Sequence, residues 1–167
     1  VNIDLRNVET ITGSGVFDYF ANATTIRNLI INIDFSSLKT VTGGTSFDHA
    51  FSYINKSAGN EQDWSFPELE TVSSSFSNMF LNNANIKSFT ADKLKTLSTS
   101  STVVYLGTQM CGNATSLKTA RFNKLNSLST RFASSATNAP FYGCTNLENV
   151  YFGGFTASTF SSDVNYL

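Results

Sequence analysis

One histidine and two cysteines occur among the 167 residues, so the side-chain chemistry on offer is narrow. His49 follows Asp48, and serines abound. Ser-His-Asp catalysis, however, needs the imidazole within hydrogen-bond reach of both a nucleophile and an acid. Composition does not supply that geometry, and His49 reads as a partly exposed polar residue. Cys111 and Cys144, with one histidine, match no familiar spacing of a structural zinc site. Two readings of the thiols stand: buried free cysteines, a common state of the residue, or a disulfide, which demands close Cβ atoms. Asp4 and Asp34 are equivalent in the repeat described below, with Asp63, Glu68 and Glu70 further along. Glycoside hydrolysis needs two carboxyls flanking a bound sugar, and calcium needs about six to eight oxygens. A regular surface implies neither, so these acids read as a solvated face. Gly43-Gly44 and Gly153-Gly154 read as turns, with no phosphate-binding motif around them. Asn22-Ala-Thr24, Asn55-Lys-Ser57 and Asn113-Ala-Thr115 fit the glycosylation pattern, as chance allows in a chain this rich in Asn, Ser and Thr. No enzyme, metal or cofactor is expected.

The composition points the same way. Charged residues make up 14%, against about 25% in an average globular protein. Small polar residues replace them: Ser 23, Thr 20 and Asn 18. A net charge of -1 argues against a nucleic-acid partner held by bulk electrostatics, and against attraction to an anionic membrane. No apolar run approaches the roughly 20 residues that cross a bilayer, so no membrane insertion is expected. Fifteen Phe and two Pro exclude a disordered linker. The start at Val1, without a signal peptide, suggests a segment of a longer protein.

Positioning falls to a repeat. Leu38-Lys-Thr-Val41 recurs as Leu69-Glu-Thr-Val72, Leu94-Lys-Thr-Leu97 and Leu125-Asn-Ser-Leu128, after a first copy at Val8-Glu-Thr-Ile11. With a degenerate copy at Phe155 the anchors fall at 8, 38, 69, 94, 125 and 155, spaced 30, 31, 25, 31 and 30. Three residues before each anchor stands Leu5, Phe35, Phe66, Ala91, Phe122 or Phe152. Two residues earlier again stands Ile3, Ile33, Trp64, Phe89, Ala120 or Val150. That alternation predicts a short strand with every second side chain buried. The residues between, Asp4, Asp34, Ser65, Thr90, Arg121 and Tyr151, should point outward.

A second phrase closes each unit: Phe20-Ala-Asn-Ala, Phe80-Leu-Asn-Asn, Cys111-Gly-Asn-Ala and Phe141-Tyr-Gly-Cys. On this alignment Cys111 takes the place of an inward aromatic shared with Phe20, Phe80 and Phe141. Asn22, Asn82, Asn113 and Gly143 share a turn position where Asn and Gly tolerate a left-handed backbone. Segments such as Phe17–Asn22, Phe47–Tyr53 and Phe76–Asn82 are too short for independent helices; single helical turns or short helices with inward aromatics are expected. His49 shares a column with Tyr19 and Asn78. Ala157–Leu167 leaves the repeat and reads as a partial cap or a lead into another domain.

The motif resembles leucine-rich repeats, specifically the BspA-like type of bacterial surface proteins, in which an aromatic and Gly/Asn-Cys precede L-x-x-L-x-L. Phe141-Tyr142-Gly143-Cys144-Thr145-Asn146-Leu147 carries the likeness most clearly. The resemblance spans 1–167 as one domain of about five and a half repeats, with units longer than the ~23 residues usual in the family. It implies an α/β, β-rich, right-handed leucine-rich-repeat solenoid with short helical or irregular convex returns. It also implies an extracellular or cell-surface recognition or adhesion module binding a protein partner. A glycan-binding module, with exposed Tyr151 as its mark, and a structural spacer for another domain are the alternatives. The expected ligand-binding residues are Asp34, Ser65, Thr90, Lys118, Arg121 and Tyr151 on the strand face. Residues 1–83 hold 4 Lys/Arg against 9 Asp/Glu, and residues 84–167 hold 7 against 3. A monomer is expected, with head-to-tail association through this asymmetry as the other possibility.

Overall fold

The computed structural model describes residues 2–21, 31–44, 46–53, 61–73, 76–97, 106–125 and 135–154. They form a parallel β-solenoid in which each coil stacks on the last. One side of the coils carries β1 (Asn2–Asp4), β3 (Asn32–Asp34), β5 (Gln62–Ser65), β7 (Ile86–Thr90), β9 (Thr119–Phe122) and β10 (Asn149–Phe152). A second side carries β2 (Thr10–Ile11), β4 (Thr40–Val41), β6 (Thr71–Val72) and β8 (Thr96–Leu97). β2, β4, β6 and β8 form one sheet in that order, β5, β7, β9 and β10 another, and β1 pairs with β3 alone. All the pairs are parallel.

The spacing of the repeat follows from one turn. The N–H of Val8, Leu38, Leu69, Leu94 and Leu125 donates to the carbonyl three residues back, on Leu5, Phe35, Phe66, Ala91 and Phe122. That turn joins the two strands of a coil and sets both of its apolar residues facing inward. Leu38, Leu69, Leu94 and Leu125 are fully or almost fully buried, and Val8 packs partly buried at the first coil. The sixth anchor, Phe155, lies outside the described residues, as do Asn22, Asn55 and the segment from Ala157.

The core is a run of stacked aromatics. Phe35 and Phe66 lie 4.7 Å apart, Phe89 and Phe122 5.4 Å, and Phe122 and Phe152 5.4 Å, by ring centroids. Ala91 would leave a gap between Phe66 and Phe122, but Phe89, two residues earlier on the same inward face, reaches both rings. Its own column compensates with Ala120 opposite. Volume is thus conserved across columns rather than within each.

The returns differ from the short helices expected. The only helical element among the described residues is a single 3-10 turn at Ala136–Asn138. The reason is a different use of backbone hydrogen bonds. Along Phe17–Ala21, alternate N–H groups close turns on Gly15 and Phe17, while those of Phe17, Tyr19 and Ala21 donate to Ser46, Asp48 and Ala50 of the next coil. The same alternation recurs at Phe76, Asn78 and Phe80, which donate to Leu106, Thr108 and Met110. Half the backbone donors that a helix would need therefore leave the coil. Left-handed residues at Tyr19, His49, Asn78 and Gln109 complete the break. Among the described residues, then, the coils are β-strands joined by irregular returns, with almost no helix.

The first return corrects a register too. Phe20 is 46% exposed, and Ala21 occupies the inward column with Phe51, Phe80, Cys111 and Phe141. Cys111 does replace a buried aromatic there. The left-handed turn position holds Tyr53, Asn82, Asn113 and Gly143. At Gly143 an added Cβ would meet the end of the Asn113 side chain, which can turn aside, so it is the left-handed backbone at φ 73° that favours glycine there.

Between β3 and β5 the strand ladder is interrupted. Gln62 fills in with its side chain: Nε2 donates to the Ile31 carbonyl at 3.3 Å and to Asn32 Oδ1 at 2.9 Å. A cavity of about 110 Å³ lies along this seam, lined by residues 31–33 and 62–65. The coils stay joined below it through Phe35–Phe66 and through β4 and β6.

Candidate functional site

The outward residues of the long sheet stand in the register that the repeat requires. Asp4 faces Asp34, Ser65 faces Thr90, Thr90 faces Arg121, and Arg121 faces Tyr151. Between Asp34 and Ser65 the seam interrupts the pairing. Asp34, Ser65, Lys118 and Tyr151 are exposed, and Thr90 and Arg121 half-buried. Lys118 lies at the foot of β9, where its N–H donates to Lys87 and its Nζ sits 3.6 Å from a Glu148 oxygen. Of the six candidates, Asp34 thus lies beside Asp4 on one side of the seam, Ser65, Thr90, Arg121 and Tyr151 form a row over the four strands beyond it, and Lys118 stands below that row at the foot of β9.

One of the two acids, Asp4, is ion-paired where it stands. Arg6 Nε donates to both Asp4 oxygens at 2.9 Å, and its backbone N–H donates to Oδ1. These bonds hold the Asp4 carboxyl down at about 2. Ser36 lowers Asp34 in the same way, through its hydroxyl and then its N–H. A shallow concavity of about 340 Å³ spans Asn2–Asp4, Arg6 and Asn32–Asp34. Sequence reasoning missed Arg6, although an acid and a base two residues apart at a strand end carry the signal. It also missed Asn2 and Asn32, whose amides join at 3.0 Å, despite their spacing of 30 residues.

At the other end Arg121 Nη2 lies 3.0 Å from Asp92 Oδ2, an ion pair that fixes the guanidinium across the sheet. With Thr119, Asn123 and Tyr151 it lines an open concavity of about 430 Å³. Tyr151 is 47% exposed, presenting both ring and hydroxyl. A guanidinium, a phenol, an amide and a hydroxyl offer donors, acceptors and an apolar plate on a rigid floor. Such groups suit a polar surface laid against the sheet.

The remaining candidates for chemistry resolve as structure. His49 stacks on Tyr19 at 4.7 Å with the rings 6° from parallel, and its Nδ1 lies 2.9 Å from Asp48 Oδ1 without hydrogen-bond alignment. Among the described residues no serine hydroxyl hydrogen-bonds to its ring; Ser52 Oγ donates instead to its carbonyl. Cys111 and Cys144 are free thiols, and Cys144 Sγ donates to the Cys111 carbonyl at 2.9 Å. Burial pushes Cys144 up to about 11 and Cys111 well above its ordinary value. Both remain protonated at neutral pH and are poor nucleophiles. Among the described residues no three His, Cys, Asp or Glu are grouped to hold a metal ion. No helix there is long and apolar enough to cross a membrane. No family model, curated protein or solved structure matches the chain significantly.

Proposed function

We propose that the chain is a non-enzymatic recognition module of the leucine-rich-repeat, BspA-like type, displayed outside the cell, which binds a protein partner through the outer face of its long sheet. The observation that carries this reading is the contrast between columns. The inward columns repeat apolar residues coil after coil, while the adjacent outward column runs Asp4, Asp34, Ser65, Thr90, Arg121, Tyr151. A stacked scaffold leaves that column free to vary without cost to the core. Several modest contacts along a rigid row then add together. The polar concavity at Arg121 and Tyr151 supports this part of the face as the centre of contact, since Arg and Tyr are favoured at interface anchors.

A second reading, glycan binding, draws on the same concavity: an exposed Tyr151 ring beside Arg121, Asn123 and Thr119 also suits a sugar. Probing protein and glycan arrays in parallel separates the two. The proposal predicts protein signals that disappear with Arg121→Glu/Tyr151→Ala. Glycan signals alone that disappear with this pair would replace the protein partner by a sugar. Signals of either class that ignore the pair would overturn the assignment of the face.

A further inference from the structure

We propose that the Arg121–Tyr151 concavity is a carboxylate socket, and that the partner segment laid over it is acidic, seating one Asp or Glu side chain there. This rests on the recognition face proposed above and names the chemistry that the face selects. Along β1, β3 and β5 the outward polar groups are bonded within the chain. Asn2 and Asn32 share an amide bond, Arg6 holds Asp4, the Ser36 N–H donates to Asp34, and the Ser88 hydroxyl donates to Asp63. The concavity differs. The side chains of Thr119, Asn123 and Tyr151 make no hydrogen bond to any described residue, and Arg121 keeps its ion pair with Asp92 and no hydrogen bond. All of these side chains line one hollow of about 430 Å³.

The sequence of the turns explains the difference. In the first two coils the residue two places after the outward one acts as its clamp, Arg6 for Asp4 and Ser36 for Asp34. In the coils of β9 and β10 that place holds Asn123 and Gly153. Asn123 makes no bond to Arg121, and Gly153 has no side chain with which to hold Tyr151. A Cβ at Gly153 would lie 2.6 Å from the Asn123 carbonyl oxygen, so the close stacking of these two turns keeps the rim bare.

The groups lining the hollow are rich in donors. A guanidinium carries five N–H groups and no acceptor, and the phenol, hydroxyl and carboxamide each donate as well. Asp92 lies against Nη2, which leaves further donors of the fork for a second acceptor. Charge points the same way, since residues 86–154 hold 7 Lys/Arg against 2 Asp/Glu. Lys118 stands at the foot of the same strand, and the exposed Lys87 and Lys124 make no ion pair with any described residue. A carboxylate can meet Arg121 through paired N–H···O bonds, while the lysines attract the rest of an acidic segment. Asp34 and Asp63 would repel that segment, so it lies over β7–β10 rather than across the seam. β9 is laddered on both sides, by β7 and β10, so the socket is held in place before the partner arrives.

The test follows the NMR signals of isotope-labelled protein titrated with an oligo-glutamate peptide, its glutamine counterpart, an oligogalacturonate and inorganic phosphate. The proposal predicts that the glutamate peptide saturably shifts the Arg121 side-chain Nε–H and the amides of β9 and β10, and that the glutamine peptide does not. Arg121→Gln should weaken that binding about tenfold or more, and Tyr151→Phe, which removes only the hydroxyl, about threefold, with melting temperatures unchanged. Rising salt should weaken it too. No shift, or shifts confined to Lys87, Lys93 and Lys95, would overturn the proposal. So would oligogalacturonate or phosphate binding there as tightly as the peptide. An array-identified protein that loses binding with Arg121→Glu/Tyr151→Ala, but not when its own carboxyl groups are amidated, would overturn the socket and leave the recognition face standing.

Discussion

Gly107 sits at φ 144°, and a Cβ there would lie 2.6 Å from the backbone carbon of Phe76. Neither strain nor clash can be relieved by a rotamer, so Gly107→Ala should lower stability by about 1–3 kcal/mol or more, read by urea unfolding. Phe122→Ala opens a cavity between the rings of Phe89 and Phe152 and should cost about 3–5 kcal/mol. His49→Gly should change stability by less than about 1 kcal/mol, because the lost stack on Tyr19 is offset by relief of a left-handed backbone at φ 51°. Cys144 gives a pH signature. Its folded thiol titrates at about 11 against an ordinary 9.0, so the folded state holds the proton that the unfolded chain releases. Its contribution is fully present below pH 9 and is lost as the pH climbs toward 11. A melting-temperature series should therefore fall less steeply over that window for Cys144→Ser than for the unsubstituted chain. Equal slopes would mean that the thiol is not held neutral by burial.

At the scale of the element, the seam between β3 and β5 makes the next prediction. β7 has a laddered strand on both sides, but β3 and β5 lack the ladder on the side where they face each other. Amide hydrogen exchange should be faster in β3 than in β7. Gln62→Ala should widen the difference while lowering stability by about 1–2 kcal/mol, the worth of its bridging bonds. Protection of β3 equal to that of β7 would show a closed ladder in solution. The elements also mark what the sequence made legible. The strand register could be read because one inward residue in two leaves an alternation that survives Trp64, Phe89 and Ala120. The left-handed turn was legible from Asn82, Asn113 and Gly143, residue types suited to that backbone. The returns were not, because an amphipathic stretch such as Phe76–Phe80 has the same spacing whether its N–H groups close a helix or reach the next coil. Phe20 misled for a related reason: an aromatic at the end of a stack need not be inward, and Ala21 fills that narrow column instead.

Over the whole molecule, one continuous aromatic core holds the coils in register, and the sheet outside it presents side chains that the core does not need. Arg121 and Tyr151 belong to that outside layer. Arg121→Glu sets a carboxylate near Asp92, a surface effect of about 1 kcal/mol or less, and Tyr151→Ala removes a half-exposed ring. The account thus separates binding from stability on this face. The returns are the rival surface, where the exposed Tyr19 ring stacks on a partly buried His49. The face was partly legible in sequence: the outward column could be listed, but the ion pairs Arg6–Asp4 and Arg121–Asp92 that shape it depend on turns that place residues beside the strands.

The most direct test compares the dissociation constant of an array-identified partner for the unsubstituted chain, for Arg121→Glu/Tyr151→Ala, and for Tyr19→Ala/His49→Ala, with melting temperatures alongside. The account predicts that the first pair weakens binding by about 2 kcal/mol or more, some thirtyfold in Kd. The loss should shrink as salt rises, and the melting temperature should hardly move. The second pair should leave the affinity unchanged. Binding that survives the loss of Arg121 and Tyr151 but disappears with Tyr19 and His49 would contradict the account and place recognition on the returns.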